Sequence, residues 1–323
     1  MIHSYLRNVD GTIEKDVSTG RFRQVLASNN EECLLWVDIE GPEDDEIELL
    51  LEVFGLHPLT VEDCIMPNVR PKLEEFEHYL FVTLQGLARS ESGGLRAVEL
   101  DVCLGKNFLI TIRSESIRSI EEDRARVERK SPIFFRGTDF LFYAIVDSLI
   151  DSYFPILDEV ESRVDELASK LLSDSTQGTV REFFSVYHEL VLLRRTLAPH
   201  RDILSRFNRG QLSFIQPANA IYFRDIYDHL LRMSDLVDSC REMTTVSLEA
   251  YSTIVSNRLN EIMKTLTAFA TLSLPLVIVT GIYGMNFSEH PELGPRWLYH
   301  GLSLLFLSSL PVMFYYFRKF RWL

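Results

Sequence analysis

The side chain best placed to do chemistry in this chain is an amide. Gly284-Met285-Asn286 closes the stretch Met263 to Phe287, in which no charged residue occurs after Lys264. About 20 apolar residues at ~1.5 Å each cross the hydrocarbon core of a bilayer, so this stretch reads as a membrane-spanning helix. An amide at that depth must face protein or water rather than lipid, where it can accept hydrogen bonds from a hydrated ion or from a neighbouring helix. Counting back from Asn286 along one helical face gives Gly281, Val277, Leu274, Ala270, Leu266 and Met263. Taken alone, that stripe fits plain helix packing as well as the lining of a pore. The other constellations offer less. His57, Glu62 and Asp63 lack a nucleophile or a third member nearby and read as a capped helix start. Glu43, Asp44, Asp45 and Glu46 follow Gly41-Pro42 and suit the first turn of a helix, where its dipole favours carboxylates, rather than a metal site. Cys33, Cys64, Cys103 and Cys240 are scattered, with neither a zinc-ligand spacing nor a disulfide frame.

A formal net charge of -14 over 323 residues argues against nucleic acid, which needs clustered Lys and Arg, and favours cations. The N-terminus lacks the apolar run of a secretory signal, so the N-terminal part is expected in the cytosol. Four short apolar runs read as strands: Cys33 to Ile39, Tyr79 to Gln85, Val98 to Leu104 and Asn107 to Arg113. Helix signals between them imply a mixed sheet with helices on its faces, an α/β domain. From Thr138 to Leu172 the pattern turns helical and acidic, with Asp147, Asp151, Asp158, Glu159, Glu161, Asp165 and Glu166, and with a bend expected at Pro155. A second helix, about Thr179 to Phe207, carries Arg194, Arg195 and Arg201. The two helices either pair through opposite charge or offer their carboxylates to cations.

Beyond the break Gln211 to Pro217, neither Gly nor Pro occurs until Pro275. As one helix those residues make a rod of roughly 85 Å. Its seam, Ile226, Leu230, Met233, Val237, Cys240, Thr244, Ser247, Tyr251 and Val255, alternates steps of four and three, as in a helix bundle around a wet axis or in a packed stalk. A second span, Leu298 to Phe317, is followed by Arg318, Lys319 and Arg321. The loop before it carries Glu289 and Glu292, so the positive-inside rule places both termini in the cytosol of a two-span protein in the cell membrane. The expected organisation is a cytosolic domain with its acidic helical hairpin (1–208), a stalk helix (218–262), a first span (263–287), an external loop (288–297), a second span (298–317) and a basic tail (318–323).

Tyr283-Gly284-Met285-Asn286-Phe287 at the outer end of the first of two C-terminal spans resembles the signature of the CorA family of divalent-metal ion transporters. Trp36-Val37-Asp38, Leu56-His57-Pro58-Leu59 with Glu62-Asp63, and Arg70-Pro71-Lys72-Leu73-Glu74 are similar to the succession in CorA cytosolic domains. The resemblance covers about Trp36 to Leu323. It implies a homopentameric funnel with the first span lining the channel, so that Met263, Leu266, Ala270, Leu274, Val277 and Gly281 become pore-lining and Gly284, Met285 and Asn286 a selectivity filter. In that reading a ring of Asn286 amides hydrogen-bonds the waters of Mg2+, with Co2+ or Ni2+ also possible cargo, and Gly284 permits the turn that aims Asn286 at the axis. Apolar rings suit a gate that closes by dewetting, and neutral amides hold an ion weakly enough to release it. The stretch from Tyr222 to His229 is similar to one whose first aspartate binds regulatory Mg2+ between subunits. Asp225 inherits that role, with Glu91 as its acidic partner; the alternative is a simple ion pair with Arg224 or a lysine. Ser288 and Val277 depart from the family pattern.

With no Walker-type motif, ATP is not expected as the driver, nor is any organic cofactor. Two charges moving down about 100 mV release roughly 4.6 kcal/mol, enough for uptake. The expected partners are four further copies, the bilayer and divalent cations, and no enzyme site is expected. A zinc transporter of the same superfamily and a membrane-anchored ligand sensor are the alternatives.

Overall fold

The computed structural model describes residues 1–28, 30, 32–66, 70–90, 93–173, 177–209, 212–284 and 296–319. They fall into two compact units, Met1–Thr245 and Val246–Leu323.

The first unit is built on seven strands: β1 (Ile2–Arg7), β2 (Ile13–Lys15), β3 (Leu34–Glu40), β4 (Lys72–Glu75), β5 (Tyr79–Arg89), β6 (Leu95–Gly105) and β7 (Phe108–Arg113). They form one sheet in the order β2-β1-β3-β7-β6-β5-β4. Every neighbouring pair is antiparallel except β3 with β7, which makes the sheet mixed. Strand β7 is buried along its whole length and β3 in all but its last residue, the mark of strands covered on both faces, and both read as nearly unbroken apolar runs. On one face Leu35, Val37, Ile39, Ile110 and Ile112 pack with Phe22 of α1 (Thr19–Ser28), Leu50 of α2 (Asp44–Glu52) and Val61 of α3 (Pro58–Ile65).

The polar residues of the opposite face are satisfied internally. Arg113 pairs with Asp38 at 3.0 Å and with Glu40 at 3.0 Å, while Thr111 donates to Asp38 at 2.8 Å and accepts from the Trp36 indole at 3.2 Å. Two of the ambiguous motifs resolve into helix starts. The Glu43 amide donates to Glu46 Oε2 at 2.9 Å in a capping box ahead of α2. His57 caps α3, its Nδ1 accepting from the Leu59 amide at 3.2 Å.

Five more helices follow: α4 (Arg118–Glu128), α5 (Thr138–Asp151), α6 (Phe154–Ser173), α7 (Gln177–Asn208) and α8 (Ala220–Tyr283). Where the sequence suggests one bent helix, the chain makes two. Pro155 sits in the first turn of α6, where its missing N–H removes no intrahelical bond. The charge pairing of α6 with α7 is the reverse of the expected one. The base is Arg163 of α6 and the acid is the buried Glu189 of α7, 3.0 Å apart, and Arg89 of β5 joins them by bridging Glu159 and Glu189. Arg194 of α7 pairs instead with Asp238 of α8 at 3.2 Å.

Beyond the last β4–β5 pairing, the free edge of β5 is closed by side chains. The Gln85 amide donates to His200 Nε2 at 3.0 Å, and the buried Tyr153 hydroxyl donates to the Gln85 carbonyl. Covering an open strand edge removes a template for intermolecular pairing. The α8 seam is buried within the chain itself from Ile226 through Ser247. Thr244 is 0% exposed and satisfies its hydroxyl on the Cys240 carbonyl at 2.7 Å. That part of the seam is therefore the face of a packed stalk and does not line a wet axis.

The second unit contains the remainder of α8 and α9 (Arg296–Lys319). Ala268 and Pro275 of α8 are buried and Leu272 and Val279 partly so, giving one seam along the helix. On α9 the less exposed residues Phe306, Leu310 and Met313 fall on one face in the same way. Other faces of both helices are apolar and open, with Phe269 65%, Leu304 72% and Leu305 65% exposed.

Candidate ion path and metal-sensing site

Each predicted pore residue on α8 is exposed: Met263, Leu266, Ala270, Leu274, Val277 and Gly281. At about 100° per residue this set is centred roughly half a turn away from the buried seam Ala268, Leu272, Pro275 and Val279. The helix therefore commits one side to its own chain and leaves the opposite side, the predicted lining, free for something else. Thr267 and Thr280 return their hydroxyls to main-chain carbonyls one turn back, at 2.7 and 3.0 Å, which lowers their polarity in an apolar surrounding.

The helix ends at Gly284, whose amide donates to the Thr280 carbonyl at 2.9 Å. A Cβ on residue 284 would lie 3.0 Å from that same carbonyl oxygen. This close approach is a physical reason for glycine where the chain leaves the helix. Met285 and Asn286 lie outside the described residues, and so does Glu91.

Asp225 projects from the first turns of α8 with its side chain 67% exposed. Its polar neighbour among the described residues is the His229 imidazole, one turn on at 3.8 Å, rather than the adjacent Arg224. The other ring nitrogen of His229 lies 3.4 Å from Asp151 of α5, and Phe154 meets the ring edge-on. Asp147, one turn before Asp151, has its carboxyl held above the usual range, first by burial and then by Asp151, with Asp225 adding to the effect and His229 opposing it. The Tyr143 hydroxyl is pushed up to about 12 by burial and by the Asp147 and Asp225 charges.

Three carboxylates and an imidazole from two helices thus share one field at the start of α8. Asp147 and Asp151 are visible in the sequence only as part of an acidic helix face; their meeting with Asp225 through His229 depends on how α5 packs against α8. Among the described residues no three His, Cys, Asp or Glu side chains form a group that could hold a metal ion within one chain.

The profile of the family described as "CorA-like Mg2+ transporter protein" matches residues 31–319. This chain belongs to that family. Within it, the cobalt/magnesium transport protein CorA of Thermotoga maritima is 32% identical over 96% of this chain and 89% of its own length. The protein of the same name from Methanocaldococcus jannaschii is 28% identical over 90% of this chain and 92% of its own. The solved complete structure of the CorA magnesium transporter from Methanocaldococcus jannaschii superposes with a TM-score of 0.82 at 24% identity, covering 100% of this chain and 99% of that one. Its likeness extends through both units and bears out the fold expected from sequence: an N-terminal α/β domain and a long helix, here α8, that runs on into the C-terminal region and is followed by α9. A zinc transport protein, ZntB of Photorhabdus laumondii, is more distant, 22% identical over 79% of this chain. As a CorA family member the protein is a divalent metal ion transporter of membranes.

Proposed function

We propose that this CorA family member takes up Mg2+, with Co2+ as a second cargo, through a homopentameric channel in the cell membrane with both termini in the cytosol. The observation that carries this reading is the face of α8 opposite its buried seam. Six residues from Met263 to Gly281 are open to a partner of the chain's own making. Two helices per chain cannot enclose a polar path, so several copies must supply the wall. In such an assembly the apolar rings form a dewetting gate and a ring of Asn286 amides at the outer mouth accepts hydrogen bonds from the waters that Mg2+ holds tightly. No imidazole or thiolate lies on the lining face, which favours Mg2+ over a soft-ligand preference for zinc. The membrane potential drives uptake.

Asp225 senses cytosolic Mg2+ together with a carboxylate of a neighbouring copy, with Glu91 the partner we assign. Bound metal holds acidic protomers together and keeps the channel closed.

Uptake by reconstituted vesicles under an imposed potential tests both parts. Asn286→Ala is expected to lower Mg2+ uptake at least tenfold, and unchanged uptake would remove the filter assignment. Asp225→Ala is expected to keep the channel open at millimolar internal Mg2+. Inhibition as strong as in the parent protein would return Asp225 to a surface charge.

A further inference from the structure

The start of α8 is fastened to the start of α5 at two points, both close in sequence to the carboxylates Asp147, Asp151 and Asp225. The first is Asp139, in the first turn of α5 and 2% exposed. One oxygen of its carboxylate accepts from the Phe140 amide at 2.9 Å. The other accepts from the Gln216 amide at 3.0 Å and from the Asn219 side chain at 2.8 Å. Asn219, itself 5% exposed, stands immediately before Ala220, where α8 begins. Hydrogen bonds to a charged acceptor are the stronger kind, and a buried carboxylate cannot exchange them for water without a large cost.

The second point is Arg136. Its guanidinium carbon lies 3.7 Å from the centre of the Phe140 ring and 5.1 Å from that of Tyr222, and its Nη2 donates to the Tyr222 hydroxyl at 2.9 Å. Tyr222 meets Phe140 edge-on at 5.3 Å and lies 5.1 Å from Tyr143. Tyr143 in turn hydrogen-bonds Asp147, one turn further along α5, and Tyr222 is one turn before Asp225 on α8. The stack therefore ends at both sides of the acidic group.

That group needs holding. Asp147 and Asp151 on α5 and Asp225 on α8 carry like charge on neighbouring helices, and the His229 ring lies between Asp151 and Asp225 at 3.4 and 3.8 Å. Repulsion between them favours a wider spacing of the two helix starts, and a wider spacing weakens the field that a divalent cation meets. A joint that resists this keeps the carboxylates concentrated.

Resting on the sensing role assigned to Asp225 above, we propose that Asp139 and Arg136 are positioning residues for Mg2+ sensing. By fastening α8 to α5 they fix the spacing of Asp225 from Asp147 and Asp151, and so set the internal Mg2+ concentration at which transport is inhibited.

The test is influx of isotopically labelled Mg2+ into vesicles holding the full-length protein and preloaded with graded unlabelled Mg2+. Asp139→Asn should raise the half-inhibiting internal concentration about fivefold. Arg136→Gln, at an exposed position, should raise it about threefold. The sign of the second effect is decisive, because removing a positive charge beside the carboxylates would by charge alone tighten Mg2+ sensing and lower that concentration. Influx at the lowest preload should match the parent for both. Combined with Asp225→Ala, which itself relieves inhibition, neither substitution should shift the curve further, whereas a general structural lesion would lower influx in both backgrounds. An Arg136→Gln curve that is unchanged or moved to lower Mg2+, or an unchanged Asp139→Asn curve, would overturn the positioning role while leaving Asp225 as the sensor. Inhibition of Asp225→Ala equal to the parent's would remove the sensing assignment, and the positioning role with it.

Discussion

Among the described residues, the stretches Thr138–Leu171 and Ala220–Gly281 are both long and apolar enough to cross a membrane, and they meet opposite fates. In Thr138–Leu171, which holds α5 and most of α6, 56% of the most apolar window is buried inside the molecule; in Ala220–Gly281 the figure is 11%. Phe140, Leu141, Phe142, Ile145, Val146, Leu149 and Ile150 of α5 are all buried in the first unit. On α8, by contrast, Leu266, Phe269, Leu274 and Val277 are each more than half exposed. Composition alone ranks the two together, and only what covers them separates a core helix from one that needs another solvent. The hydrophobic effect is satisfied for α5 within the chain; for the end of α8 the chain itself leaves it largely unsatisfied.

Replacing one phenylalanine by alanine in each stretch tests this difference in cover. Phe142→Ala, in a cluster with Phe207 and Phe223 at ring distances of 5.5 and 5.8 Å, should cost about 3–5 kcal/mol of stability in denaturant melts of the detergent-solubilised protein. Phe269→Ala should cost less than about 1 kcal/mol, because the ring it removes is open to solvent or detergent. Equal costs would mean that the exposed face of α8 is covered as tightly as a core.

A smaller effect sharpens the same contrast by pH, because the first unit buries ionisable groups as well as apolar ones. Asp101 is 2% exposed, and burial raises its carboxyl to about 7 although the Thr83 hydroxyl, donating at 2.7 Å, pulls the other way. Its folded value lies above the unfolded one of about 3.9, so its stabilising contribution is complete below that value and is lost as pH rises through about 7. Asp101→Asn should therefore melt at a higher temperature than the parent at pH 8, with the gap closing towards pH 5. A pH-independent gap would show that the carboxyl does not titrate in that range. His200 works in the opposite sense. Burial lowers it to about 4, so its contribution is present above about 6.5 and is lost as pH falls through 4.

Much of the architecture was legible beforehand because its signals are local. The apolar runs of β3, β5, β6 and β7 stand out by composition, and the N-terminal strand β1 does not, because Ile2 to Arg7 mixes His3, Ser4 and Arg7 among its apolar residues. Arg7 is nonetheless buried, its guanidinium donating to the Phe134 carbonyl at 3.0 Å and the Glu32 carbonyl at 2.9 Å, a solution that only long-range packing provides. The α6–α7 charges were misassigned for a related reason. Counting carboxylates along α6 finds its exposed face, while the pairing is made by Arg163 on the covered one.

By itself the sequence determined the uncharged span ending in Gly284, the unbroken stalk before it and the pattern of strands. Periodicity, charge and chain-bending residues act over a few positions and need no partner. Only the tertiary structure decided that the seam from Ile226 to Ser247 is covered within the chain, that the face from Met263 to Gly281 is left open, and that Asp147 and Asp151 meet Asp225 through His229. Those outcomes depend on which helix faces lie against one another, a quantity set by packing between residues far apart in the chain.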